Sequence, residues 1–131
     1  MARRVTSRLN KERGKEMKIT QVTEVDITFD NGNRIYFDHD QDCCEHNYAD
    51  FKQIDDLAWE WDFDENLKFE SCPHSGFRFG NEGRMVFVPC YSSQNGYYST
   101  WIDIYYAPCW CGVLLDGGHV LGFNAKMDEY E

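Results

Sequence analysis

A chain of 131 residues, 42% apolar and 16% aromatic, is one domain's worth of sequence and can bury a packed core. Its net charge of −10 is uneven: residues 1–18 carry seven of the thirteen Lys and Arg against Glu12 and Glu16 alone, net +5, and the remainder is net −15. The acidic body repels phosphate backbones, which argues against direct DNA or RNA binding by it, and no apolar run reaches the length of a membrane span or forms the core of a secretory signal.

These features point to the cytoplasm, where the six cysteines are expected to be reduced or metal-bound. The basic segment 1–17 reads as a flexible arm, 18–125 as a single domain, and 126–131 as a polar tail that frays.

In chain order, the β-branched stretch Ile19 to Phe29 reads as a first strand, with Val25, Ile27 and Phe29 alternating against Glu24, Asp26 and Thr28. Asn31-Gly32 predicts a hairpin in which both residues take positive φ, and "RIYFDH" returns as the second strand. Tyr48, Phe51, Ile54, Leu57 or Ala58, and Trp61 then recur every three or four residues, which predicts one amphipathic helix. "LKFESC" and "GFRFG" flank "PHS" as a second hairpin. "RMVFVPCY" and "YYSTWIDIYY" flank "SSQNG" as a third, and "GVLLD" and "HVLGF" flank "GG" as a fourth. In the strand "YYSTWIDIYY", Trp101, Asp103 and Tyr105 share one face, and Thr100, Ile102, Ile104 and Tyr106 the other. The expected fold is α+β: a meandering antiparallel sheet with one main helix packed on a face.

Ligand types for zinc are abundant: His39, Cys43, Cys44 and His46, then Cys72 and His74, Cys90, and Cys109 and Cys111. Zinc takes four tetrahedral nitrogen or sulfur ligands, usually as two close pairs, and here the pairs are one residue apart where two to four is usual. A zinc site on His39, Cys43, Cys44, His46, Cys109 and Cys111 is therefore the rival to a structural reading. In that structural reading, cysteines pack as small apolar residues and Asp42 or Glu45 satisfies free N–H groups. A cysteine nucleophile at Cys43 or Cys44 is disfavoured, because the surrounding carboxylates oppose a thiolate. Asp38, Asp40 and Asp42 alternate like part of a calcium loop but lack its glycine and terminal glutamate. His119, after Gly117-Gly118, reads as a turn residue.

Two stretches, "DHDQDCCEHNYADF" and "PCYSSQNGYYST", resemble an uncharacterised family of small phage and bacterial proteins with an H-x-x-D-C-C-E element and an N-G-Y-Y-S hairpin. The resemblance runs from Lys18 to about Tyr106 and implies a phage or mobile-element setting, in a bacterial host. It implies no activity, cofactor or catalytic residue.

The reading that follows is a small acidic binding protein without a catalytic site, engaging a protein partner and no membrane. The role this suggests is inhibition of a host defence enzyme. Its binding surface is expected on Trp59, Tyr97, Tyr98, Trp101, Tyr105, Trp110, Asp55, Asp56 and Glu60, since Trp and Tyr dominate binding hot spots. The alternatives are a zinc-binding domain, structural or hydrolytic, using the Cys/His cluster, and a protein that binds a nucleotide-like small molecule in an aromatic pocket.

Overall fold

A computed structural model of the chain describes residues 16–38, 46–94, 99–107, 109–110, 113–114 and 118–129. The first half contributes β1 (Glu16–Met17), β2 (Ile19–Val22), β3 (Asp26–Phe29), β4 (Arg34–Asp38), β5 (His46–Ala49) and β6 (Phe63–Asp64). The second half contributes β7 (Lys68–Cys72), β8 (Gly76–Asn81), β9 (Arg84–Gln94), β10 (Trp101–Ala107), β11 (Cys109–Trp110), β12 (Val113–Leu114), β13 (Gly118–Asn124) and β14 (Lys126–Glu129). A five-stranded sheet runs β13-β10-β4-β3-β2. The other large sheet is built on β9, which pairs with β8 along Arg84–Pro89 and with β5 and β14 further along. No helix among the described residues is long and apolar enough to cross a membrane.

The α+β expectation is overturned: the described residues hold two short 3-10 helices, Phe51–Gln53 and Asp56–Glu60, and no α-helix. Tyr48 belongs to β5, which pairs with β9. The 3-10 helix repeats every three residues, so Phe51 and Ile54 are buried at a spacing that also suits an α-helix. Ile54 is extended (ψ 154°), which breaks the run, and the Asp55 carboxylate accepts a hydrogen bond from the Leu57 N–H (2.9 Å) to start the next turn. Short polar side chains compete in this way for the N–H groups a continuous helix needs.

Four further expectations meet the structure differently. The first predicted strand divides, because the Thr23 hydroxyl accepts from the N–H groups of Val25 and Asp26 (both 3.1 Å) and turns the chain between β2 and β3. The β3–β4 hairpin forms, but only Gly32 has positive φ (91°), and the Asn31 side chain instead accepts from the Asn33 N–H. That is a turn closed by a glycine bulge rather than a two-residue reversal. β9 and β10, expected as a hairpin, lie in different sheets and do not pair. β12 pairs with β11, and β13 with β10, so the two strands of the predicted fourth hairpin pair with other strands and not with each other. The β7–β8 hairpin forms as expected, with Cys72 opposite Gly76 and His74 at φ 66° in the turn.

Both ends of the described chain are strands. Met17 is buried and β1 pairs with β6, while β14 lies parallel to β9.

The two large sheets face each other across one core. β3, β4, β10 and β13 supply Ile27, Phe29, Ile35, Ile102, Ile104 and Phe123, and β8 and β9 supply Phe77, Phe79, Val86, Val88 and Cys90. Phe51, Ile54, Ala58 and Phe63 close the core from the connecting segment. Alternation explains which side chains enter: in β10 Ile102 and Ile104 are fully buried, and in β8 Phe77 and Phe79 are buried with exposed Arg78 between them. Phenylalanines meet edge to face, as Phe29 does with Phe63 and Phe79. Burying each ring contributes about 1.5–3 kcal/mol by area.

One end of this core is polar. Asn47, Ser92 and Gln94 are completely buried. Ser92 Oγ donates to Asn47 Oδ1, Gln94 Nε2 donates to Ser92 Oγ (2.6 Å) and to the Ser99 carbonyl (3.2 Å), and Asn47 Nδ2 donates to the carbonyls of Ser99 and Trp101 (3.0 Å each). The network pins the start of β10 in one sheet to β5 and β9 in the other.

Candidate functional site

The outer face of the five-stranded sheet carries an ordered aromatic and charged surface. Registers place His119 opposite Tyr105, Tyr105 opposite Tyr36, and Tyr36 opposite Asp26, a row crossing four strands. The next row of that face sets Asp103 of β10 between Gly122 of β13 and Asp38 of β4. Trp101 stands beyond it.

The row is held together from side to side. Arg34 lies over the Tyr36 ring (4.5 Å to the centroid) and forms an ion pair with Asp26 (3.6 Å). Tyr36 stacks on Tyr105 (5.3 Å, 12° between planes), and His119 meets Tyr105 edge-on. Ring faces are thus used within the row, and the rims are what the row presents outward.

Trp101 is fixed as well as exposed. Its Nε1–H donates to Asp103 Oδ1 (3.0 Å), and His119 Nε2 meets the same oxygen at 2.8 Å. A Cβ on Gly122 would stand 2.4 Å from Trp101 Cζ2, so only glycine leaves room for the indole in this pose. The side chain is nevertheless 44% exposed. An exposed indole seated on a glycine and tied by a hydrogen bond loses little further freedom on binding. His119, expected as a turn residue, is a member of β13 and of this cluster. Its hydrogen bond among the described residues is to Asp103.

Of the expected binding residues, Trp101 and Tyr105 come together here. Asp56, Trp59 and Glu60 are exposed on the second 3-10 helix and Asp55 caps its start, and the helix packs beside β2. β4 and β3 separate β10 from β2 in the sheet, so these residues form a second patch rather than an extension of the first. Tyr97 and Tyr98 lie outside the described residues, as does the side chain of Trp110.

Of the expected metal ligands, His39, Cys43, Cys44 and Cys111 lie outside the described residues, and for Cys109 only the backbone strand is described. His46 is exposed at the start of β5 and stacks on Tyr48 (4.8 Å). Among the described residues, no three His, Cys, Asp or Glu side chains are grouped to hold a metal ion. Cys90 packs as a core residue: burial, with the nearby Asp50 and Cys72, pushes its thiol well above the ordinary range and keeps it neutral.

Reading the sequence alone misses Arg34, Tyr36, His119 and Gly122. The alternation of "RIYFD" places Arg34, Tyr36 and Asp38 on one face, which is the available signal, but which strand lies beside them is a matter of register.

A second feature is a cleft of about 500 Å³ where the β2–β3 turn approaches β5, lined by Val25, Phe37, His46, Tyr48 and Lys52 among others. Its size falls within the range of small-ligand sites.

Residues 6–104 match the family described as Domain of unknown function (DUF7448), which reaches into the basic segment at the N-terminus. No curated protein and no solved structure matches the chain.

Proposed function

The chain belongs to that family, and we propose that it is a small acidic binding protein that engages a protein partner through the outer face of its five-stranded sheet. The observation that carries this reading is the seating of Trp101: exposed, placed over Gly122 and hydrogen-bonded to Asp103. Trp, Tyr and Arg are the residues that dominate binding hot spots, and the cluster offers all three already in position. The net charge of −10 favours a basic partner surface and speeds encounter with it. In a phage or mobile-element setting, the role that fits is occlusion of the DNA-binding surface of a host defence enzyme.

The test is affinity capture by the full chain across a salt series, with Trp101→Ala and Tyr105→Ala as comparison. A partner retained at low salt, released as salt rises and lost with either variant is the expected result. A partner held equally well at every salt concentration and by both variants would refute the reading.

The cleft beside β5 supports a second reading, binding of a small aromatic molecule between Phe37 and Tyr48. A thermal-shift panel of nucleotides and aromatic metabolites separates the two, since only this one requires a small ligand to raise the melting temperature.

A further inference from the structure

We infer that the cleft beside β5 takes an aromatic molecule carrying both an ammonium and a carboxylate, the chemistry of a free aromatic amino acid, with Glu24 and Lys52 as its two charge partners. The inference rests on the cleft reading above and names the class of ligand that the cleft takes.

The cleft, of about 500 Å³, is walled by parts of the chain that meet only in the fold. Phe37 reaches it from β4 of one sheet, Tyr48 from β5 of the other, and Val25 from the β2–β3 turn. Val25 is 57% exposed and Phe37 is only partly buried, so the walls keep apolar surface for an occupant. Covering that surface with a ring is favourable.

These walls are set in advance. The Thr23 hydroxyl accepts from the N–H groups of Val25 and Asp26 and donates to Asp26 Oδ1 (2.6 Å), and the Thr23 N–H donates to the Asp26 carbonyl (2.9 Å). The turn that carries Glu24 and Val25 is thereby closed on itself. The Phe37 ring packs against Phe51 (6.1 Å), and Tyr48 is in ring contact with His46 and with Tyr91 (5.6 Å). A site held in this way loses little freedom when a ligand enters.

Charge then selects the ligand. The lining holds two carboxylates, Glu24 and Asp50, and one ammonium, Lys52. Asp50 is already engaged, since its Oδ2 accepts from Gln53 Nε2 (2.5 Å). Glu24 and Lys52 make no hydrogen bond or ion pair among the described residues. The phosphates of a nucleotide would meet more negative than positive charge here, and like charges brought together oppose binding. A ligand with a single charge would leave Glu24 or Lys52 unmatched. A molecule with one charge of each sign makes a charge-assisted contact with both while its ring covers Val25, Phe37 and Tyr48.

The experiment is calorimetric titration of the full chain with L-tryptophan, N-acetyltryptophan, tryptophanamide and AMP. Acetylation removes the ammonium and amidation the carboxylate, so each blocked form lacks one contact. The expected result is tightest binding of tryptophan, about fivefold weaker binding of either blocked form, and no binding of AMP. Glu24→Gln should erase the advantage of tryptophan over N-acetyltryptophan, and Lys52→Gln its advantage over tryptophanamide. Both residues are exposed, so these variants change charge and leave the core packing alone, which melting curves confirm.

Equal binding of tryptophan and both blocked forms would mean that the ring alone is recognised and would overturn the inference. Tryptophanamide binding as tightly as tryptophan would overturn it in favour of the N-terminal residue of a peptide, and AMP binding more tightly would overturn it in favour of a nucleotide. Each of these results leaves the cleft reading standing. That reading falls, and the inference with it, only if no member of the wider nucleotide and aromatic panel raises the melting temperature.

Discussion

Two aromatic clusters lie on opposite faces of the same sheet, and they differ in what else their rings do. The inner cluster is phenylalanine throughout, with Phe29, Phe63, Phe77, Phe79 and Phe123 in tilted and edge-to-face contact at low exposure. The outer one is Tyr36, Tyr105, Trp101 and His119, each with a polar atom, interleaved with Arg34, Asp26 and Asp103. Ring stacking alone therefore does not tell cohesion from recognition. The polar handle does, because a Tyr or Trp at a surface keeps one end for water or for a partner.

The comparison breaks first at the core. Phe79 touches Phe29, Phe63, Phe69 and Phe77, so Phe79→Ala is expected to cost about 3–5 kcal/mol in chemical denaturation. A loss below about 1 kcal/mol would mean that the two sheets do not depend on this cluster.

The buried polar end comes next. Asn47→Ala removes an acceptor from Ser92 and a donor from two carbonyls, leaving buried groups without partners, and should cost about 1–3 kcal/mol. Hydrogen exchange should show the loosening at Ser99–Trp101 more than in β3, because those carbonyls are the ones released.

Tyr106 stands between the two regimes and sharpens the contrast through pH. It is half-buried, its hydroxyl accepts from Asn33 Nδ2 (2.8 Å) and donates to the Glu65 carbonyl (2.8 Å), and burial foremost pushes its phenol from 10.0 up to about 12. Over that window the folded chain keeps a proton that the unfolded chain has released, so stability falls as pH rises from 10.0 towards about 12. Alkaline denaturation should be shallower in Tyr106→Phe than in the parent. Identical profiles would place the tyrosine that drives alkaline loss elsewhere.

The smallest effect belongs to the outer face. Trp101→Ala is expected to change stability by no more than about 1 kcal/mol while abolishing partner capture. A Trp101 variant as unstable as Phe79→Ala would make the outer cluster a second core and erase the distinction.

Much of this was legible before the structure. The "DNG" and "PHS" turns and the alternation through Trp101, Asp103 and Tyr105 follow from local rules, and the β3–β4 and β7–β8 hairpins and the outer face of β10 lie where those rules put them. What could not be read was partnership. Apolar residues three apart satisfy a 3-10 turn as readily as an α-helix, and Tyr48 follows β5 because β9 is there to receive it. A turn signal between two strands says that the chain bends, not that the strands pair, which is why β9 and β10 went to different sheets. Trp101 and Tyr105 could be nominated from composition. The cluster that gives them meaning could not, since Arg34, Tyr36 and His119 reach it from distant strands through register.

The Asn47–Ser92–Gln94 network also acts as a spelling check on the fold. Along β9 the side chains of Cys90, Ser92 and Gln94 point inward and those of Tyr91 and Ser93 outward. Sliding β5 by one residue against β9 would turn Asn47 away from Ser92 and present the core with a different set of side chains. Apolar contacts tolerate such a misprint at modest cost, because one greasy surface resembles another. Hydrogen bonds between completely buried groups do not, since each wrong alignment strands donors and acceptors away from water. These three completely buried polar residues thus read the alignment of two sheets at once and disfavour a shifted one.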